Sequence, residues 1–122
     1  MIQNIKCILV YGLEDNEIVK IKQRYGKVIK VTSDMSQMKV KDIISGLNIV
    51  DESQDMPKEY MIVFNGFNEG ELKAAIKYIR SFINGGVLAV TTPTSCNWSF
   101  KYLLEHLIEE REWFETQQKG RE

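Results

Sequence analysis

The chain is predicted to fold as one α/β domain around a four-stranded, mainly parallel sheet, and two observations carry that expectation. The first is a doubling. Ile8-Leu9-Val10-Tyr11 leads into Gly12-Leu13, with Glu17-Ile18 beyond, and Ile62-Val63-Phe64-Asn65 leads into Gly66-Phe67, with Glu71-Leu72 at the same distance. The second halves of the two repeats also correspond. Val31-Thr32-Ser33 precedes Val40, Ile43, Ile44 and Leu47, and Val90-Thr91-Thr92 precedes Phe100, Leu103, Leu104 and Leu107, with identical spacing inside each apolar set. The second observation is the kind of periodicity. Short crowded apolar runs alternate with three-and-four spacing, which reads as strand and helix in alternation. The expected plan is two βαβα repeats, over about residues 5–47 and 60–114 of a single domain spanning 1–122, with a short polar tail at 115–122. Strand order 2-1-3-4, right-handed crossovers and helices on both faces follow from that plan, in a Rossmann-like or receiver-like arrangement.

Each element has a local reason. The first strand, about residues 5–11, crowds Ile5, Ile8, Leu9 and Val10 as strands buried on both faces do. Gly12 ends it, and Ile18, Ile21 and Tyr25 build a helical face that stops at Gly26. Lys27 to Thr32 interleaves lysines with β-branched Val28, Ile29 and Val31, the pattern of an edge strand guarded by charge. A helix over Lys39 to Leu47 closes the first repeat, and polar residues Asp51 to Asp55 with Pro57 connect to the second. Residues 60–64 form another central strand. Asn68 with Glu71 is a helix-start pair, Leu72, Ala75, Ile76, Ile79 and Ile83 form its stripe, and Asn84-Gly85-Gly86 ends it. Val87 to Val90 is the fourth strand. The last helix is expected from Asn97 or Trp98 to about Gln117, with Phe100, Leu103, Leu104, Leu107 and Phe114 facing the core.

Composition narrows the classes of function. At 43% hydrophobic and 10% aromatic, the chain has the material for an ordinary core. Its apolar runs are too short for a membrane span, and the residues after Met1 do not make a secretion signal, so a cytoplasmic location is expected. Cys7 and Cys96 read as free thiols in that compartment, and no metal-ligand spacing or cofactor fingerprint is present. Net charge is -1, but residues 1–41 carry eight Lys or Arg against four acids, and residues 105–122 carry three against six. The basic residues, Lys6, Lys20, Lys22, Arg24, Lys27, Lys30, Lys39 and Lys41, are dispersed, which favours a solvated surface over a nucleic-acid track.

In an open α/β sheet, chemistry gathers at the carboxyl ends of the strands. There the sequence places Gly12, Asn65, Gly66, Thr91, Thr92, Thr94, Ser95, Asn97 and Trp98. Two readings stand side by side: the hydroxyls cradle a small polar or anionic ligand, or they serve as turn and helix caps. Cys96 precedes the last helix, a position that favours a thiolate, yet the single histidine, His106, is about 15 Å further along by helical rise. That separation argues against a thiol-imidazole pair within one chain. A second stripe on the last helix, Tyr102, His106, Glu109 and Trp113, turns away from the core, and its aromatic groups suit a protein contact, most simply a homodimer.

Phe64-Asn65-Gly66-Phe67 with Glu71-Leu72, then Ala89-Val90-Thr91-Thr92-Pro93-Thr94, Asn97-Trp98, Leu103-Leu104 and Glu109-Glu110 resemble a small bacterial family known only as a domain of unknown function. Its pattern is Phe-x-Gly-Phe, then Thr-Pro-Thr-Asn and a Trp opening the last helix. This chain has Ser95 where that asparagine is expected. The resemblance implies the domain and no activity. A looser one joins Ile8-Leu9-Val10, Glu14-Asp15 and a strand ending in Thr91 to response-regulator receiver domains. The phosphoacceptor aspartate of that pattern is replaced by Asn65, so it implies a shape used for contact and not phosphoryl transfer. The reading that results is a non-enzymatic regulatory or interaction module. Its alternatives are a small thiol-dependent enzyme using Cys96 with Thr91, Thr94 and Asn97, and a nucleic-acid-associated protein.

Overall fold

A computed structural model describes residues 5–47 and 55–119, with side chains as far as Trp113. Eight regular elements alternate in the expected order: β1 (Cys7–Tyr11), α1 (Asp15–Tyr25), β2 (Val28–Lys30), α2 (Val40–Ile44), β3 (Met61–Asn65), α3 (Glu69–Arg80), β4 (Val87–Val90) and α4 (Phe100–Lys119). Most of the polar connection after α2 lies outside the described residues. The sheet runs β2-β1-β3-β4, with β1–β2 and β3–β4 parallel. The central pair β1–β3 is antiparallel.

That reversal corrects the common rim that would have joined the first and third strands. Leu9 faces Val63 in the ladder, and each lies three residues before the glycine that ends its strand. The two repeats therefore meet at equivalent residues, as subunits do across a two-fold axis, and equivalent strands at such a contact must run oppositely. A doubly wound sheet would instead keep all strand carboxyl ends on one edge. Periodicity reports which strands are buried and says nothing of their direction, so the sequence could not distinguish the two plans.

The strands' alternation divides the core in two. Cys7, Leu9, Met61 and Val63 pack with Val40, Ile43 and Ile44 of α2 and Phe100, Leu103 and Leu104 of α4. Ile8, Val10, Ile62 and Phe64 pack with Ile21 of α1 and Ala75 and Ile79 of α3. Successive strand residues point to opposite faces, so these clusters sit on opposite sides of the sheet. Fully burying each large aliphatic or aromatic side chain stabilises by about 1.5–3 kcal/mol, and both central strands are buried almost throughout.

The pseudo-two-fold relation extends beyond the sheet. Glu17 accepts from the backbone N–H of Glu14 at 2.9 Å, and Glu71 accepts from that of Asn68 at 3.0 Å, so both α1 and α3 begin with the same reach-back. Val31 N–H donates to Val10 O, and Thr91 N–H donates to Phe64 O. Val10 and Phe64 are equivalent, so Val31 corresponds to Thr91, one residue away from the sequence alignment of the halves. Several local expectations also shift. α2 ends at Ile44 ahead of Gly46, whose φ is 84°, and Leu47 is 49% exposed instead of joining the core. Residues Ser95–Asn97 form a separate 3-10 turn, Trp98 is extended, and α4 starts only at Phe100. Phe114 is helical, with its side chain outside the described set.

Candidate functional site

The antiparallel centre splits the residues expected at one site between two edges of the sheet. Gly12 sits beside Glu59 and Tyr60, which lead into β3, whereas Gly66 sits beside Ile5 and Lys6, which lead into β1. Gly12 is thus removed from the site, and Asn65, Gly66, Thr91, Thr92, Thr94, Ser95, Asn97 and Trp98 remain along the β3–β4 end.

Within that group the polar atoms hold the chain together. Asn65 is buried at the end of β3. Its Nδ2 donates to Ile5 O at 2.7 Å, and its Oδ1 accepts from Thr91 Oγ1 at 2.5 Å, so one amide braces the entry to β1 and the exit from β4. Gly66 must follow it, because φ is +79° and a Cβ would stand 3.0 Å from Ile5 O and Lys6 Cα. Beyond β4, Thr92 and Ser95 close on each other. Thr92 N–H donates to Ser95 Oγ at 2.9 Å, Ser95 N–H donates to Thr92 Oγ1 at 2.9 Å, and the two hydroxyls are 3.0 Å apart. Asn97 Nδ2 donates to Pro93 O at 3.1 Å, and Cys96 Sγ lies 3.3 Å from the same carbonyl. Such mutual satisfaction is the chemistry of a tight turn.

The side chains beyond the turn form a different surface. Trp98 packs edge-on to Tyr102, with ring centroids 4.9 Å apart, and to His106 at 5.0 Å; Tyr102 and His106 stack at 6.0 Å. His106 Nε2 is 3.6 Å from a carboxylate oxygen of Glu110 one turn on. Tyr102 is 51% and Trp113 58% exposed, and Glu109 is exposed between them. The stripe Tyr102, His106, Glu109 and Trp113 is thereby presented on the outer side of α4, with Trp98 joined to it through its ring contacts to Tyr102 and His106.

Between α4 and the edge of the sheet lies a cleft of about 170 Å³ lined by Ala89, Val90, Leu103, Leu107 and Glu110, and it brings Thr92 and Ser95 of the turn together with Trp98 and His106. A second cleft of about 120 Å³ adjoins Leu88, Ala89 and Val90, where Phe64, Leu72 and Ile76 line it. Strand β4 separates the two, and Val90 is 44% exposed. The expected order 2-1-3-4 already placed β4 at an edge, but the sequence reading missed that this edge carries no guarding charge. Its signal lies in a comparison of the repeats: Lys30 pairs with Val10 in the ladder and Val90 with the equivalent Phe64, so lysine guards one edge strand and valine replaces it on the other.

Charge elsewhere is engaged locally. Lys6 pairs with Glu71, Lys30 with Asp15 at 3.1 Å, and Arg111 with Glu59 at 2.8 Å. Lys20 lies over the Phe82 ring and Arg24 over that of Tyr78. The amino-terminal cations are therefore spread over separate partners. Backbone donation from Asn68 lines up with the Lys6 ammonium to hold the Glu71 carboxyl below the ordinary glutamate range. Burial pushes the Cys7 thiol up, against a smaller opposing pull from Lys27. Among the described residues, no group of three or more His, Cys, Asp or Glu is gathered to hold a metal ion, and no helix is long and apolar enough to cross a membrane.

No curated protein and no solved structure matches the chain. Residues 60–114, the second repeat from the approach to β3 into α4, match the family model described as Domain of unknown function (DUF3783), the segment that carries both the Asn65 brace and the exposed aromatic stripe.

Proposed function

We propose that the protein is a non-enzymatic interaction module that associates with a second copy of itself through the outer face of α4. One observation carries this reading: Tyr102 and Trp113, two large aromatic side chains on one helical stripe, are each more than half exposed. Aromatic groups contribute most to contact energies, so two of them exposed on one helical stripe suit a protein contact. The adjoining cleft supports the same role. Its volume of about 170 Å³ suits an inserted side chain, and its lining is mostly apolar, with Thr92, Ser95, His106 and Glu110 as the polar residues. The mutual hydrogen bonds of Thr92 and Ser95 favour the turn-and-cap role of the hydroxyl run. A regulatory role in the cytoplasm is consistent with the two free thiols.

Light scattering tests the reading. Wild-type protein is expected at twice the chain mass at micromolar concentration, with Trp113→Ala shifted toward single chains. Equal monomer masses for both proteins would remove it.

A further inference from the structure

The two edge strands of the sheet are related by the internal pseudo-symmetry, so the fold alone gives no reason for them to differ. They differ in the feature that governs edge pairing. The ladder aligns Lys30 of β2 with Val90 of β4, and the residue before Val28, Lys27, with Val87, so β4 reads Val87-Leu88-Ala89-Val90 without a charge. Lysines on an edge strand prevent pairing with other chains, and their replacement by valine leaves a template for it.

The open hydrogen-bonding groups of that template can be assigned. Val87 N–H donates to Tyr60 O at 2.9 Å and Thr91 N–H to Phe64 O at 3.1 Å, so alternate residues from Val87 turn their backbone toward β3. By the same alternation Leu88 and Val90 turn theirs away from β3, to the edge that no strand among the described residues pairs with.

We propose that two copies of the chain join at β4, resting on the self-association proposed above, so that the sheet continues from one copy into the other across a two-fold axis at Ala89. Leu88 of each copy exchanges backbone hydrogen bonds with Val90 of the other, and the small Ala89 side chains meet at the axis, where strands come closest. A strand this short is insufficient alone, since stable interfaces cover about 800 Å² per partner. The stripe on α4 supplies the remainder, and its spacing is a palindrome: four, three and four residues separate Tyr102, His106, Glu109 and Trp113. Reversed against itself, the helix sets Tyr102 beside Trp113 of the other copy and the His106 imidazole beside the other Glu109, which is self-complementary in spacing and leaves an imidazole–carboxylate hydrogen bond open on each side. Its midpoint falls between Leu107 and Ile108. The cleft beside β4 brings Ala89 together with His106 and Leu107, so the middle of the stripe adjoins the middle of the strand and one axis is placed to serve both.

Val90→Lys restores on β4 the residue that guards β2, at a position already 44% exposed. Sedimentation equilibrium should show self-association at least about tenfold weaker than wild type, because the change sets a like-charged pair across the axis and opposes pairing. If Trp113→Ala weakens association and Val90→Lys leaves it unchanged, the β4 joint is wrong and the α4 contact stands. If the wild type is monomeric throughout, self-association fails and the joint with it. Circular dichroism checks that Val90→Lys is folded. Should it not be, amide exchange of the wild type decides: protection of the Leu88 and Val90 N–H groups that rises with protein concentration supports the joint, and fast exchange of both in associated protein overturns it.

Discussion

Lys39 and Ser99 face each other across an isolated antiparallel bridge, each being the residue immediately before the first turn of α2 or α4. Val40 N–H donates to Trp98 O at 2.9 Å and Phe100 N–H donates to Met38 O at 2.9 Å, so the contact is its own image under exchange of the repeats. With Leu9 opposite Val63 in the sheet, it defines an internal two-fold relation running through the domain.

Neither repeat is expected to fold alone, because each core cluster draws buried residues from both halves. Fragments of about residues 1–54 and 55–122 should each lack a cooperative thermal transition, and mixing them should restore one, as followed by circular dichroism. A cooperative transition for the second fragment by itself would show that the repeats are separate folding units.

Asn65→Ala should cost about 2–3 kcal/mol, because it orphans the Ile5 carbonyl and removes the acceptor of Thr91. Thr91→Val removes one bond of the pair and should cost about 1 kcal/mol. Urea unfolding measures both, and a negligible effect of Asn65→Ala would contradict its role as a brace.

Gly66 and Gly85 both have positive φ, at +79° and +73°, but only Gly66 has backbone atoms where a Cβ would go. Alanine at Gly85 should cost about 1–2 kcal/mol from backbone conformation alone. Alanine at Gly66 adds a clash with the chain entering β1 and should lower the urea midpoint by clearly more. Equal costs would mean that the close approach yields without penalty.

The Glu71 carboxyl is held below its ordinary range by the Asn68 N–H and by Lys6, so the folded state binds its proton less readily than the unfolded chain. Its stabilising contribution is therefore complete above the ordinary glutamate range and is lost as pH falls through the folded value. Between about pH 5 and pH 3, the decline in wild-type stability should be steeper than that of Glu71→Gln. Parallel declines in urea midpoint would show that this carboxylate is unimportant to acid sensitivity.

Element type and order were legible because burial imposes periodicity on side chains. Ile8 to Val10 and Ile62 to Phe64 announce central strands, and Asn68 with Glu71 announces a helix start that the backbone adopts. The direction of β3 against β1 was not legible, since apolar residues buried on both faces look alike either way. That ambiguity placed Gly12 and Gly66 at one edge when they lie at two. At the turn after β4, the residue types were read correctly, but the closed Thr92–Ser95 pairing depends on geometry that composition does not specify. The expected order already made β4 an edge strand, but the contrast between Val90 and Lys30 became visible only when the ladder aligned them.

Self-association is tested most directly by sedimentation equilibrium of the wild-type chain over a range of micromolar concentrations. The arrangement of α4 and β4 predicts a mass approaching twice 14.2 kDa as concentration rises. A mass that stays at the value of one chain throughout would contradict it.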